Sequence, residues 1–378
     1  MANNLNVGLV GYKFMGRAHS NAYLTVGKFF PAKLSPVMRA VCGRNEAAVR
    51  EFADQWGWES TETDWRRLIE RDDIDLIDIG SPGDTHAEIA IAAAKQGKHV
   101  YCEKPLANTL EECKQMVAAV RSTGVRHMVN FNYRKCPAVA LAKQMIQAGE
   151  LGEVRHFRAT YLQDWLVDPA FPMNWRLRKE SAGSGAHGDL GAHIVDLARF
   201  LVGGIHQVVG DMKTFITERP AEGAGGGVES VTVDDCSLFL ARFASGAVGT
   251  FEATRLAAGR KNYNRLEVNG SKGSLVWCFE DLNYLDFYRC DDPGHAQGFR
   301  RIVATEGEHP YAGAWWPPGH MLGYDHTFVN AVADLVEGVA TGQNPSPCFL
   351  AGANCVSVLE SVERSVASGK WEAVEQVG

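Results

Sequence analysis

Between Gly183 and Phe200 the chain reads Gly-Ser-Gly-Ala-His-Gly-Asp-Leu-Gly-Ala-His-Ile-Val-Asp-Leu-Ala-Arg-Phe. Asp189, His193 and Asp196 are spaced by four and three, so a helix puts them on one face, with Ile194, Leu197 and Phe200 on another. An imidazole one turn from a carboxylate can take or give a proton near neutral pH, because its unperturbed pKa is about 6.5. The plainer reading of the same spacing is a helix N-terminus capped by Asp189, with His193 a hydrogen-bonded core histidine. No metal is expected, since neither an H-E-x-x-H pattern nor a further ligand cluster completes the His/Asp spacing.

The element that would bring a reaction partner to this helix is the start of the chain. Asn6-Val7-Gly8-Leu9-Val10-Gly11-Tyr12-Lys13-Phe14-Met15-Gly16-Arg17-Ala18-His19 reads as strand, tight turn and helix. Gly11 and Gly16 occupy the first and third glycine places of a dinucleotide-binding βαβ unit, and Lys13 stands at the second. The alternative is a plain first βα turn of an α/β domain. A second strand, 37–42, ends in Gly43-Arg44-Asn45, where NAD-binding domains usually carry an acid for the ribose hydroxyl. Arg44 there can meet a 2′-phosphate or stack on adenine, so NAD is the expected cofactor and NADP stays open.

Alternation of strands and helices continues. The apolar strand 74–80 ends in Ser81-Pro82-Gly83-Asp84-Thr85-His86, a helix covers 87–96, and the next strand ends in Glu103-Lys104-Pro105. Ligands in open α/β sheets bind at such strand ends. A further strand is expected over 125–132. Beyond it the pattern changes to period-2 strands: 154–161, 237–242 paired with 247–253, and 266–268 paired with 274–277 through an Asn269-Gly270 turn. The predicted fold class is therefore α/β. A Rossmann dinucleotide-binding domain spans 1–130, and an α+β domain with a large, mostly antiparallel open sheet spans 131–378. Its closing helices, 325–338 and 351–368, are free to pack back on the first domain. Residues 222–227 read as a surface loop or lid, and 291–320 as an irregular stretch.

Composition sets the outer limits. At 378 residues the chain exceeds one core, and 46% apolar with 22% charged residues is the balance of a globular protein. A net charge of −7 argues against a nucleic-acid partner. No apolar run approaches a membrane span, the first residues lack a signal-peptide pattern, and the nine scattered cysteines suit a reducing compartment, so a cytoplasmic enzyme is expected.

Taken together, the glycine-rich first turn, Pro82 to His86, Glu103-Lys104-Pro105, Asn132-Tyr133-Arg134, the Gly183–Leu201 stretch, the Asn269–Ser274 turn and the helix from Gly352 to Gly369 resemble the Gfo/Idh/MocA oxidoreductase family. The resemblance implies that Lys104, Asp189 and His193 line a sugar site. His193 would be the general base, Lys104 would bond the substrate hydroxyl and Asp189 would orient sugar and histidine, with the Lys and His roles open to exchange. Such an enzyme moves a hydride between a secondary hydroxyl of a pyranose or glycoside, with C3 a plausible carbon, and nicotinamide. The cofactor would meet Gly11, Lys13, Phe14, Met15, Gly16, Arg44, Ser81, Pro82, His86, Glu103, Lys104 and Asn132. The carbohydrate would meet Lys104, Arg134, Gln163, Trp175, Arg176, Asp189, His193 and His326, with Trp165 and Trp315 as further aromatic walls. The family also implies a homodimer or homotetramer through the open sheet. Two other readings stand beside it: an NAD-dependent glycoside hydrolase that oxidises, eliminates, hydrates and re-reduces, and a nucleotide-sensing regulator.

Overall fold

A computed structural model describes residues 3–222 and 226–378, so the centre of the loop expected over 222–227 lies outside the described residues. The chain divides into two compact units, Met1–Lys135 with Gly323–Ala353, and Cys136–Leu322 with Asn354–Gly378.

In the first unit, strands β1 (Asn3–Val10), β2 (Leu34–Cys42), β3 (Thr61–Glu62), β4 (Leu76–Ile79), β5 (His99–Cys102) and β6 (His127–Val129) form one sheet in the order β3-β2-β1-β4-β5-β6. Every pairing is parallel. Helices α1 (Phe14–Phe29), α2 (Glu46–Trp56), α3 (Trp65–Glu70), α4 (His86–Lys95) and α5 (Leu110–Thr123) alternate with the strands. A sheet covered on both faces needs apolar strands, and β4 is buried at all four positions. One of those four is Asp78, a carboxylate that must find partners inside. Strand order reverses between β1 and β4, the crevice where open α/β sheets bind ligands. The last strand is shorter than the expected 125–132. The Phe131 N–H folds back onto the Val129 carbonyl, and Asn132–Lys135 then form a 3-10 turn.

The second unit contains α6 (Pro137–Gln147), β7 (Val154–Leu162), α7 (Lys179–Ala182), α8 (Ala192–Leu201) and β8 (Ile205–Lys213). A small ribbon of β9 (Glu218–Pro220) and β10 (Val228–Ser230) follows. Then come β11 (Cys236–Phe243), β12 (Val248–Thr254), β13 (Tyr263–Gly270), β14 (Gly273–Cys278), β15 (Tyr284–Arg289) and β16 (Arg300–Val303). With β17 (Glu372–Ala373) these build a nine-stranded sheet, β16-β15-β14-β13-β7-β12-β11-β8-β17. It is antiparallel except at β7–β12. Burial alternates along β11: Ser237, Phe239, Ala241 and Phe243 are buried, while Leu238 and Leu240 are about half exposed. That is the period of a sheet with one covered face.

Two local expectations are corrected. The β13–β14 hairpin has the expected partners, Leu266 with Trp277 and Val268 with Leu275, but its turn is Ser271-Lys272 rather than Asn269-Gly270. Gly270 serves a close approach instead, since a Cβ there would lie 2.1 Å from the Leu151 carbonyl oxygen. The stretch 291–320 is not wholly irregular, because β16 within it pairs with β15 at the sheet edge.

Helix α9 (Tyr324–Thr341) belongs to the first unit, where Tyr324 stacks on Phe14 of α1 at 6.2 Å. Helix α10 (Phe349–Ser368) begins in the first unit and ends in the second. Among the described residues no helix is long and apolar enough to cross a membrane.

Candidate active site

The first unit holds the glycine turn. Gly11 follows β1 with φ +107°, a region L side chains rarely adopt, and a Cβ there would lie 2.7 Å from the Gly80 carbonyl oxygen. At Gly16 a Cβ would lie 2.5 Å from the Gly11 oxygen, so both glycines are required for α1 to close on β1 and β4. Lys13 takes φ −81°, a conformation that needs no glycine, and its side chain is exposed, with Nζ 5.3 Å over the Tyr12 ring. The N-terminus of α1 has no side-chain cap and no acid in its first turn. Its free N–H groups and positive dipole end suit a pyrophosphate, so the residues present fit a dinucleotide. Phe14 is exposed at this turn, Met15 packs near Gly80, and Arg44 is exposed beyond β2. Tyr12 takes the space over Gly43, where a Cβ would lie 2.2 Å from its ring.

Other expected cofactor residues spend their side chains on the frame. The Ser81 hydroxyl bonds the Thr85 hydroxyl at 2.6 Å, and the turn from Pro82 leads into α4. The His86 ring is buried, with Nδ1 3.0 Å from the Pro105 carbonyl oxygen and Nε2 2.9 Å from that of Ser81. It ties the two strand-end loops together, one of them carrying the cis Lys104-Pro105 peptide. Asn132 Nδ2 donates to Thr327 Oγ1 of α9 at 2.9 Å. Glu103 is buried, and its carboxylate accepts from His19 Nε2 (2.9 Å), Asn130 Nδ2 (2.6 Å) and the Lys104 N–H (3.1 Å). His19 in turn faces Asp78 at 2.8 Å through Nδ1, and Tyr23 donates to the same carboxylate at 2.7 Å. Burial disfavours the His19 imidazolium, but Asp78 and Glu103 outweigh it and raise its pKa to about 10. Burial pushes Glu103 up, yet His19 and Asn130 bring it below the usual carboxylate range. Lys104 thus follows directly on a fully bonded buried carboxylate. His326 caps α9 in this same unit, its Nδ1 accepting from the Gly323 N–H at 3.0 Å, and Arg134 is buried in the 3-10 turn after β6.

The second unit holds Asp189 and His193. The helix there is not regular: His187–Gly191 form a π-helical turn that runs into α8 at Ala192, a distortion frequent at functional sites. Asp189 is inside this turn rather than at its cap. Capping is done from a distance by Asp234, whose carboxylate accepts from the Gly185 N–H (2.7 Å) and the His187 N–H (2.8 Å). Only glycine fits at 185, where a Cβ would lie 1.8 Å from the Asp234 carbonyl oxygen. His187 is a core residue, its ring nitrogens 2.9 Å from Ser237 Oγ and 3.0 Å from the Leu359 carbonyl oxygen. His193 is buried with its ring 5.8 Å from that of Tyr161, and Asp189 is half-buried.

Arg255, fully buried just after β12, donates through Nη2 to the Asp234 carbonyl oxygen at 3.2 Å. Its Nε and Nη1 have no hydrogen-bond partner among the described residues. Burial lowers its pKa from the usual arginine value, against the opposing charges of Asp189, Asp234 and Asp235. Sequence reasoning passed over Arg255, Asp234 and Tyr161. Only Tyr161 carries a signal, its inward place in the alternation of β7.

Gln163 donates to Asn262 Oδ1 at 2.8 Å and accepts from Trp165 Nε1 at 3.0 Å, so both ends of its amide are engaged. Trp165 packs edge-on to Phe171, against a small core of Leu166, Met173, Leu177, Val231 and Val233. Trp175 lies under the Arg176 guanidinium at 4.3 Å, in a short turn closed by Asn174. Among the described residues no three His, Cys, Asp or Glu side chains group as a metal site.

Residues 5–131 match the oxidoreductase family with an NAD-binding Rossmann fold, and residues 139–276 match the GFO/IDH/MocA C-terminal domain. The chain is 43% identical to levoglucosan dehydrogenase of Pseudarthrobacter phenanthrenivorans over 99% of both chains. A crystal structure of an oxidoreductase domain protein from Kribbella flavida, 52% identical, superposes with a TM-score of 0.97 over 99% of this chain and 100% of that one. A levoglucosan dehydrogenase complex with NADH and levoglucosan, 44% identical, superposes with a TM-score of 0.96 over the same shares. With both domain matches, the parallel sheet bearing the glycine turn and the open mixed sheet in place, the chain belongs to the Gfo/Idh/MocA family of NAD-binding oxidoreductases.

Proposed function

We propose that this NAD-dependent oxidoreductase oxidises a secondary hydroxyl of a pyranose or anhydro-sugar, with C3 as the reacting carbon. The observation that carries the reading is full-length similarity to levoglucosan dehydrogenase, including a relative that holds NADH and levoglucosan together. Bound NAD+ supplies the two-electron acceptor. Gly11, Gly16 and the free N–H groups of α1 would hold its pyrophosphate, with Phe14, Met15 and Arg44 along its length. His193 takes the hydroxyl proton. Lys104 donates to the same oxygen as negative charge develops on it, and Asp189 holds the sugar and the imidazole in register. Burial of His193 beside Tyr161 keeps bulk water from competing for that proton.

The test is incubation with levoglucosan, free pyranoses and inositols plus NAD or NADP, following nicotinamide absorbance and sugar products by NMR together. Accumulation of reduced cofactor with a 3-keto-sugar supports the reading. Turnover of inositols alone overturns the pyranose assignment. Cleavage of a glycoside without net reduced cofactor establishes the redox-assisted hydrolase instead.

We also propose that the enzyme acts in the cytoplasm as a homo-oligomer built on the uncovered sheet face, where Leu238, Leu240 and Val248 are each about half exposed. Solution scattering giving a monomer mass would contradict the assembly.

A further inference from the structure

The buried network beneath Lys104 contains a histidine that the proposed reaction does not use. His19 is fully buried on α1, three residues beyond Gly16, with its ring stacked on Tyr101 at 5.1 Å and tilted against Phe328 of α9 at 5.6 Å. Its two nitrogens face two different carboxylates, Asp78 of β4 at 2.8 Å and Glu103 at the end of β5 at 2.9 Å. A neutral imidazole has one nitrogen that can only accept, and a carboxylate offers it nothing but lone pairs. Both contacts are satisfied together only when both nitrogens carry protons. The charged and titratable groups around the ring are Asp78, Glu103, Tyr23 and Tyr101; Asn130 Nδ2 is 3.2 Å from Nε2 but lies closer to Glu103 Oε1, to which it donates at 2.6 Å, and Nε2 is itself nearer that oxygen at 2.9 Å.

Glu103 is the link to Lys104. Its Oε1 accepts from His19 and Asn130, and its Oε2 accepts from the backbone N–H of Lys104 itself. A lysine side chain pivots on its own backbone, so fixing that N–H fixes where the ammonium group swings from. A chain of four bonded groups therefore runs from the middle of the sheet, through α1, to the residue that would polarise the substrate hydroxyl.

We infer that His19, as an imidazolium clamped between Asp78 and Glu103, is a positioning residue that sets the placement of Lys104 through the Glu103 carboxylate. The inference rests on the reading of Lys104 as a group that bonds the substrate hydroxyl. The protonated state of His19 persists through neutral pH because the two carboxylates oppose the effect of burial.

The experiment compares Glu103→Gln, His19→Gln and Lys104→Ala, with sugar oxidation followed at saturating NAD and NADH affinity measured by fluorescence titration. Glu103→Gln keeps the size and places an amide where either the imidazolium or the Lys104 N–H meets a donor instead of an acceptor. The expected result is a fall in kcat of about ten- to a hundredfold for both frame variants, with NADH affinity within about twofold of wild type. In Glu103→Gln/Lys104→Ala no further loss beyond Lys104→Ala is expected, since the carboxylate acts only through the lysine. Full kcat in a folded Glu103→Gln enzyme, against a crippled Lys104→Ala enzyme, overturns the inference and leaves the Lys104 reading standing. Full kcat in Lys104→Ala overturns that reading and the inference with it. A multiplicative loss in the double variant also overturns it. Should the frame variants fail to fold, 15N-histidine NMR of the wild-type enzyme at about pH 8, above the ordinary imidazole range, still decides: a doubly protonated His19 supports the clamp, and a neutral tautomer overturns it.

Discussion

The two units bury charge in different ways. In the first, charged side chains bond one another, His19 to Asp78 and to Glu103 and Lys135 to the part-exposed Asp334, and each of Glu103 and Lys135 adds one backbone group, the Lys104 N–H and the Ser346 carbonyl. In the second they bond the backbone. Asp234 holds the Gly185 and His187 N–H groups, Asp235 holds those of Phe215 and Ile216, and Arg219 donates to the carbonyls of Leu166 and Asp168. The contrast follows from what each unit must fix. A parallel sheet already satisfies its backbone, so buried side-chain charges are left to lock strand ends together. The long connections around β9 and β10 have no ladder of their own, and buried charges take its place.

The largest effect is expected where side chains hold one another. His19→Ala leaves Asp78 and Glu103 buried without their cation, and a loss of about 3–5 kcal/mol in urea unfolding is expected. Asp234→Ala removes one acceptor from two backbone donors, and about 2–3 kcal/mol is expected, together with loss of sugar turnover as the turn bearing Asp189 loosens. Equal destabilisation by the two would erase the contrast.

Next in size is the pH response. The pKa of His19 is raised, so its stabilisation is complete below the unfolded-state value of about 6.5 and is lost as pH rises toward about 10. In that window stability falls by about 1.4 kcal/mol per pH unit from this group, and His19→Gln should flatten the slope. His127 works in the opposite direction. Burial and then Arg126 lower its pKa to about 4, so its contribution is present above about 6.5 and is lost as pH falls from there toward about 4. Calorimetry across the range should therefore find the first unit most stable near neutrality. The smallest effect is expected at Lys13, whose backbone needs no glycine: Lys13→Gly should change NAD affinity by less than about threefold.

Much of this was legible in the chain. Alternating βα units, a glycine turn and period-2 strands gave the two sheets, because each pattern reports a local burial rule. Gly11 and Gly16 stand where a Cβ would collide with backbone, a constraint local enough for their spacing to report. The β13–β14 turn was misplaced because Asn269-Gly270 is a strong turn signal, while the carbonyl of Leu151 that actually requires Gly270 lies more than a hundred residues away in sequence. His19, Asp234 and Arg255 were missed on similar grounds. Their hydrogen-bond partners are 21 to 84 residues distant, and no spacing rule reaches that far. Asp78 offered one unread clue, an acid in a fully buried strand.

Oxidation at a sugar carbon, with the electrons retained by the cofactor, leaves a signature in where one hydrogen goes. The most direct measurement is turnover of levoglucosan deuterated at C3 with NAD, using wild type and His193→Ala. A primary isotope effect, one deuterium in the reduced nicotinamide, a ketone at C3, and a loss of about a hundred- to ten-thousandfold in the variant are expected. Deuterium retained in the sugar, or full activity without His193, would contradict this mechanism.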